Sequence, residues 1–162
     1  MSDLEARIKL IEDRIALEDL LARYRNLADD LKFAEWADAM FTEDAVFDIP
    51  RTVYGCQNGR GEIKANSVGN NTGSWEDTMH LMINPEFNID GDTARGTVDM
   101  LFYAVPKGMH ATSYIFDGAR YAMSYRRTKD GWRISRIEAK FLLGGLAERA
   151  AFLRALAERN KK

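Results

Sequence analysis

The sequence predicts an α+β domain in which a curved, mainly antiparallel sheet wraps around N-terminal helices and leaves a cavity between them. Three observations predict this class. Helical periodicity is concentrated in the first part of the chain, and long alternating segments separated by Asp-Gly turns follow from Thr78 onward. The last segment is again rich in strong helix formers. Helices that precede a run of strands are typical of an α+β domain rather than of alternating βαβ units.

The first segments have the pattern of two helices. Ser2 and Glu5 have the spacing of a capping box, and apolar residues then recur every three to five positions as far as about Asp29. The early part, Leu4 to Ile15, also has the four-three-four spacing of a short coiled-coil seam. This spacing predicts docking either onto the domain itself or onto a sister subunit. A second helix is predicted from Phe33 to Phe41.

The remaining segments have mainly the pattern of strands. A short strand is predicted at Ala45 to Ile49, followed by a Gly- and Asn-rich segment with one short helix at Gly61 to Val68. Four longer strands are then predicted at Met79 to Ile89, Thr93 to Val105, Ala111 to Arg127 and Trp132 to Phe141. A C-terminal helix is predicted from Leu146 to Asn160. We therefore expect one domain, residues 1–145, with residues 146–162 as its helical extension.

Composition narrows the classes of function. The chain has 162 residues, of which 46% are hydrophobic, and a net charge of -2 with both signs interspersed. A single core is expected at this size, and the charge pattern offers no basic face for nucleic acid. No apolar run approaches the roughly 20 residues that span a bilayer. Cys56 stands alone and the start lacks a secretion signal, so we expect a cytoplasmic protein without membrane or nucleic-acid partners.

Two distant residues are the leading candidates for chemistry. His80 is one of two histidines, and Asp29 lies near the end of the first helix. An imidazole oriented by a carboxylate can take a proton without a metal or an organic cofactor. The sequence lacks a metal-ligand signature, a phosphate loop and a dinucleotide fingerprint, so no cofactor and no metal are expected. Each residue could alternatively be structural, His80 as a core histidine and Asp29 as a helix cap.

The segment Trp36 to Phe47, which ends in Phe-Thr-Glu-Asp-Ala-Val-Phe, resembles the SnoaL-like branch of the NTF2-like superfamily. Within that branch the chain is similar to cofactor-free dehydratases and lyases such as scytalone dehydratase, hexachlorocyclohexane dehydrochlorinase and bile acid 7α-dehydratase. The resemblance implies a catalytic aspartate at Asp29 and a catalytic histidine at His80. It also implies a role for Tyr24, which precedes Asp29 by five residues as in the bile acid enzyme.

The resemblance implies a cofactor-independent lyase, with dehydration as the expected reaction. His80 would take a proton beside an activating group, Asp29 would stabilise the imidazolium, and Tyr24 would assist the substrate oxygen. A hydrophobic substrate of polyketide, aromatic or steroid type is expected from the aromatic and Met-rich strands. The alternatives are an isomerase of the ketosteroid type, a polyketide cyclase, or a noncatalytic module for small-molecule binding or assembly.

Several further residues are candidates for the substrate pocket. Arg136 is predicted to share a strand face with Trp132 and Ile134 and to reach an anionic group, with a solvated surface arginine as the alternative. The other candidate lining residues are Tyr121, Tyr103, Asn84, His110, Met82 and Phe102. A homo-oligomer is also expected, and the trimeric dehydratases that the chain resembles make a trimer the preferred expectation over a dimer.

Overall fold

The computed structural model describes residues 2–50, 55–109 and 113–148. Three helices occur in these ranges: α1 (Asp3–Asp29), α2 (Phe33–Met40) and α3 (Arg60–Asn71). The capping box of α1 is present, because the Ser2 side chain accepts from the Glu5 N–H and the Glu5 carboxylate accepts from the Ser2 N–H. None of the helices in these ranges is long and apolar enough to cross a membrane.

The same ranges contain one sheet of seven strands. They are β1 (Phe41–Ile49), β2 (Gly55–Asn58), β3 (Trp75–Ile83), β4 (Asn88–Asp90), β5 (Thr93–Pro106), β6 (Ser113–Thr128) and β7 (Gly131–Glu148). Their order is β2-β1-β7-β6-β5-β3, with β4 beside β5. Only the β1–β7 pair is parallel among these strand pairs. The predicted α+β class with a curved, mainly antiparallel sheet is thereby confirmed.

The core lies between the helices and one face of the sheet. Leu17 and Met40 of the helices and Ile134 and Ile137 of β7 are fully buried there. Burial of each such side chain contributes on the order of 1.5–3 kcal/mol. Trp36 is at the centre of an aromatic cluster, with edge-to-face contacts to its neighbours Tyr24, Phe33, Phe41 and Phe47. This packing fixes the ends of α1 and α2 against the sheet.

The strand predicted at Met79 to Ile89 is broken into two. Asn84 adopts a positive φ of 53°, and the chain then passes through Pro85 before β4 begins. The connecting segment crosses over β5, where the Glu86 N–H donates to the Thr97 carbonyl. A Cβ atom at Gly96 would lie 1.7 Å from the Glu86 carbonyl oxygen, so only glycine permits this crossing. This crossing ends β3 at Ile83.

Other boundaries also differ from the sequence prediction. β1 begins at Phe41 rather than Ala45, β2 was not predicted, and α3 is longer than expected. The predicted C-terminal helix is wrong at its start, because Leu146–Glu148 pair with β6 and continue β7. The rest of that predicted helix, residues 149–162, lies outside the described residues. The division of the chain at residue 145 stays a prediction.

Candidate active site

A cavity of about 390 Å³ lies between the helices and the inner face of the sheet. Most of its wall is apolar, and its phenylalanine and tryptophan members are Phe33, Trp36, Phe47, Trp75, Phe102 and Phe141. The side chains with polar or ionisable groups on the same wall are Tyr24, Ser67, Asn70, Asn71, Thr78, His80, Asp117 and Tyr121. A few polar groups on a largely apolar wall are typical of a small-molecule site.

Asp29 and His80 meet at one side of this cavity. The Nδ1 atom of His80 lies 2.6 Å from Oδ1 of Asp29. The same carboxylate accepts from the backbone N–H of His80, at 3.0 and 3.1 Å to its two oxygens, and from the Thr78 hydroxyl at 3.3 Å. Both side chains are mostly buried, with 17% of His80 and 21% of Asp29 exposed. The structure therefore brings together the two residues that the sequence analysis singled out.

This hydrogen bond determines which ring nitrogen of His80 is available for chemistry. A carboxylate beside Nδ1 favours the tautomer that carries the proton on Nδ1, which leaves Nε2 as a proton acceptor. The ring also lies against Phe102 of β5, with centroids 4.7 Å apart and planes tilted by 43°. The carboxylate and the phenyl ring together fix the orientation of the imidazole.

Asp117 is a cavity residue that the sequence analysis missed. In the sheet, His80 is paired with Phe102 and Phe102 with Asp117, so the three residues form a row across β3, β5 and β6. Asp117 has no hydrogen-bond or ion-pair partner among the described residues, and burial raises the pKa of its carboxyl group. Its position could have been predicted from the alternation of side chains along a strand, since Asp117 precedes the predicted lining residue Tyr121 by four positions and therefore lies on the same face.

Other predicted site residues lie on the cavity wall as well. Tyr24, Tyr121 and Phe102 all line it. Tyr24 is only 3% exposed and packs edge-to-face against Trp36, with ring centroids 5.1 Å apart. Trp36 lines the cavity too, and its buried indole N–H has no hydrogen-bond partner among the described residues. This aromatic wall comes from α1 and α2, opposite the strands that carry His80 and Asp117.

The prediction that Arg136 reaches into the pocket is wrong. Its guanidinium pairs with Glu138 on the outer face, with Nε 2.7 Å from Oε1, and the side chain is 45% exposed. The cause is a bulge, because Tyr125 pairs with Ile134 while Ser124 pairs with Arg136, so Ser135 is the extra residue. One extra residue reverses the alternation of side chains along β7.

Three other predicted lining residues lie elsewhere. Tyr103 packs against Tyr114 and Phe116, on the face of β5 opposite to Phe102. Asn84 is exposed at the break after β3, where its amide donates to Asp99 at 3.4 Å. Met82 packs against the core without reaching the cavity. His110 lies outside the described residues.

No group of three or more His, Cys, Asp or Glu side chains that could hold a metal ion occurs within residues 2–50, 55–109 and 113–148.

Residues 9–138 match the model of the SnoaL-like domain. An uncharacterized protein of Mycobacterium tuberculosis, Rv2910c, is 31% identical over 131 residues, which cover 80% of this chain and 86% of the relative. A crystal structure from Novosphingobium aromaticivorans, named a candidate aromatic ring hydroxylase, has a TM-score of 0.74 at 29% identity and covers 85% of this chain and 93% of its own. A candidate scytalone dehydratase from the same organism has a TM-score of 0.74 at 20% identity, covering 86% and 90%. The second structural likeness concerns the fold alone.

Proposed function

The chain belongs to the SnoaL-like domain family, and from this premise we propose that it is a cofactor-independent lyase that removes water from a small hydrophobic substrate. The observation that carries the proposal is the 2.6 Å contact between Asp29 and His80 at the wall of an apolar cavity. The pair supplies an oriented proton acceptor where a substrate can be held away from bulk water. Within the superfamily, a dehydratase is named among the structural neighbours.

His80 is proposed as the general base. Its Nε2 atom takes a proton from a carbon next to a carbonyl or another activating group, and the C–H electron pair becomes the new double bond. Asp29 then faces an imidazolium across a short, charge-assisted hydrogen bond, which stabilises the charge that develops during the transfer. A positioned base of this kind contributes about 10²- to 10⁴-fold in rate.

Asp117 is proposed as the acid for the leaving hydroxyl. Neighbouring strands lie about 4.8 Å apart, so the backbones of His80 and Asp117 are about 10 Å apart across the sheet, with Phe102 between them. A substrate lying over the Phe102 ring would contact both side chains, one at each end. Asp117 gives its proton to the departing oxygen, which leaves as water, and the imidazolium proton later returns to Asp117 through a water molecule. The sum of these steps is the loss of one water.

The cavity favours a compact, flat and largely apolar substrate. Aromatic side chains from both the helices and the sheet line it, and these surfaces stack well on rings. A volume of about 390 Å³ is at the small end of ligand pockets. A hydroxylated cyclic ketone of polyketide or aromatic type fits these properties, because it has both an acidified C–H bond and a leaving hydroxyl.

Other reactions of the same site are distinguished by the product. Isomerisation and cyclisation of the ketosteroid or polyketide type use the same proton abstraction but conserve mass, whereas dehydration loses one water. The name of the hydroxylase-like neighbour suggests a gain of one oxygen. Simple ligand binding leaves the compound unchanged. Mass spectrometry of the products from a panel of cyclic β-hydroxyketones therefore separates dehydration and hydroxylation from the reactions that conserve mass. Chromatographic retention of the same samples separates an isomerised or cyclised product from the unchanged compound.

The decisive variant is His80→Gln, which places an amide N–H donor beside Asp29 but has no basic nitrogen. We expect the variant to fold, to bind the substrate and to lose at least about 10²-fold in kcat. Met82→Leu is the matched control, since Met82 lies on the same strand face outside the cavity wall. Retention of near-normal turnover by His80→Gln, or products of unchanged mass throughout the panel, would contradict the lyase proposal.

A further inference from the structure

The first half of α1 carries an apolar stripe that no described part of the chain covers. Its residues Leu4, Ile8, Ile11 and Ile15 are 62%, 46%, 59% and 53% exposed. The buried residues of α1 begin only with Asp13 and Leu17 and continue to Ala28. The helix therefore has an N-terminal part with large apolar side chains in solvent, and a C-terminal part that packs on the domain.

The exposed stripe and the buried stripe lie on opposite sides of the helix. At about 100° per residue, the four exposed residues fall within a sector about 60° wide, and the buried residues centre about 170° to 190° away from it. Their spacing of four, three and four residues places Ile8 and Ile15 at a positions and Leu4 and Ile11 at d positions of a heptad. A partner bound to this stripe would therefore lie on the side of α1 away from its own domain.

Charged residues flank the stripe with one sign on each side. The e positions are Glu5, Glu12 and Asp19, and the g positions are Arg7 and Arg14. All five side chains are exposed, and Arg14 also pairs within the helix with Glu18 at 3.0 Å. Pairs of this kind on an exposed helix are weak, so they do not prevent Arg14 from meeting another carboxylate.

We propose that the stripe is a parallel dimerisation seam, occupied by α1 of a second copy of this chain. In a parallel pair, g positions meet e positions of the partner, so Arg7 faces the partner's Glu12 and Arg14 the partner's Asp19. In an antiparallel pair, like charges would face each other. β-branched Ile8 and Ile15 at the a positions and Leu4 at a d position are the residue types that favour two strands, and Ile11 at the other d position departs from this pattern. The domains, on the outer sides of both helices, do not obstruct this arrangement.

The proposal is independent of the reaction and is tested by cysteine cross-linking of the full chain. In a Cys56→Ser background, Ile8→Cys places the two thiols opposite each other at the seam, within reach of a disulfide. Ala16→Cys, at an exposed b position of the same helix, is the control. We expect an interchain disulfide for the first variant and not for the second under mild oxidation. Equal cross-linking of both, or of neither, would overturn the proposal.

Charge reversal tests the orientation and the identity of the partner. Added to Ile8→Cys, Arg7→Glu with Arg14→Glu should weaken self-association by about thirtyfold or more, and Glu12→Arg with Asp19→Arg should do the same. A mixture of the two variants restores every opposite-charge pair, so we expect a mixed cross-linked species. If residues 149–162 of the same chain cover the stripe instead, neither reversal nor mixing changes an interchain product, and the parallel dimer is excluded.

Discussion

Asp29 holds His80 at two points, its ring nitrogen Nδ1 and its own backbone N–H. The carboxylate comes from the last turn of α1 and the histidine from the middle of β3. A single side chain therefore fixes the position of the strand and the orientation of the imidazole together. The arrangement resembles the aspartate of a catalytic triad in its role, since it selects the tautomer that can accept a proton.

Replacing Asp29 by Asn should separate these two roles. The amide oxygen can still accept from the backbone N–H, but an amide beside the ring no longer stabilises the imidazolium and can impose the wrong tautomer. We expect a loss of about 10³-fold or more in kcat with little change in substrate affinity. Steady-state kinetics and a ligand titration measure the two effects. A large loss of affinity with unchanged kcat would assign Asp29 to binding instead.

Asp117 should make the protein less stable at neutral pH than its Asn variant. Burial raises the pKa of the Asp117 carboxyl group in the folded state, so the folded chain holds this proton more tightly than the unfolded chain. The resulting penalty is absent at pH values below the unfolded pKa and develops as the pH rises through the folded pKa. Asp117→Asn should therefore raise Tm at pH 7 to 8, and the gain should disappear at low pH.

The same Asp117 variant should be impaired in turnover, by about 10²-fold or more if the carboxyl group is the acid. A side chain that lowers stability while supporting activity is typical of a functional site. Thermal unfolding at several pH values and kinetics on the same preparations test both statements. Normal turnover of Asp117→Asn would remove Asp117 from the mechanism. A lower Tm of this variant at neutral pH would contradict the finding that the Asp117 carboxylate has no stabilising partner among the described residues.

The site was predictable from sequence where a motif or an uninterrupted strand carried it. Asp29 and His80 came from short family motifs, and Tyr121 and Phe102 came from strand patterns that hold along their whole length. Asp117 lies on the same strand face as Tyr121, but an isolated carboxylate among strand residues gave no reason to expect it in a cavity. A sequence gives no distances, so the contact of Asp29 with His80 required the structure.

Failures of prediction occurred where the backbone departs from regular geometry. The bulge at Ser135 reverses the faces of β7, and the crossing over Gly96 ends β3 at Asn84. Hydrophobic periodicity assumes a constant pleat, so it assigns residues beyond a bulge to the wrong face. Arg136 is the residue for which this error changed a functional prediction.

Arg136→Gln should consequently leave catalysis unchanged. The guanidinium lies on the outer face and pairs with Glu138, and an exposed pair of this kind has little effect on stability. We expect kcat/KM within about twofold of the unmodified protein, since no charge in the cavity is altered. A tenfold or greater loss, measured with the substrate identified from the mass-spectrometric panel, would show that the arginine acts on the site.

Asp13 ties α1 to the far end of the sheet through a network of buried contacts. Its carboxylate accepts from Arg127 at 2.6 Å and from the Trp132 indole at 3.3 Å, and Lys9 lies at 3.1 Å. Burial alone raises the pKa of Asp13, but these donors outweigh it and hold the pKa below its usual value. The stability from this network is therefore present above the unfolded pKa and is lost as pH falls through the lower folded pKa.

Asp13→Asn should reduce the free energy of unfolding at pH 7 by about 2–3 kcal/mol, since the mostly buried guanidinium of Arg127 keeps only Asp92 as a charged partner among the described residues. Asp44→Asn is the matched control, because Asp44 also pairs with an arginine, Arg126, but is 65% exposed. We expect the control to cost about 0–1 kcal/mol. Denaturant unfolding at pH 7 and near pH 3 measures both. The difference in free energy of unfolding between the two variants should become smaller near pH 3, because protonation removes the charge of Asp13 in the unmodified chain.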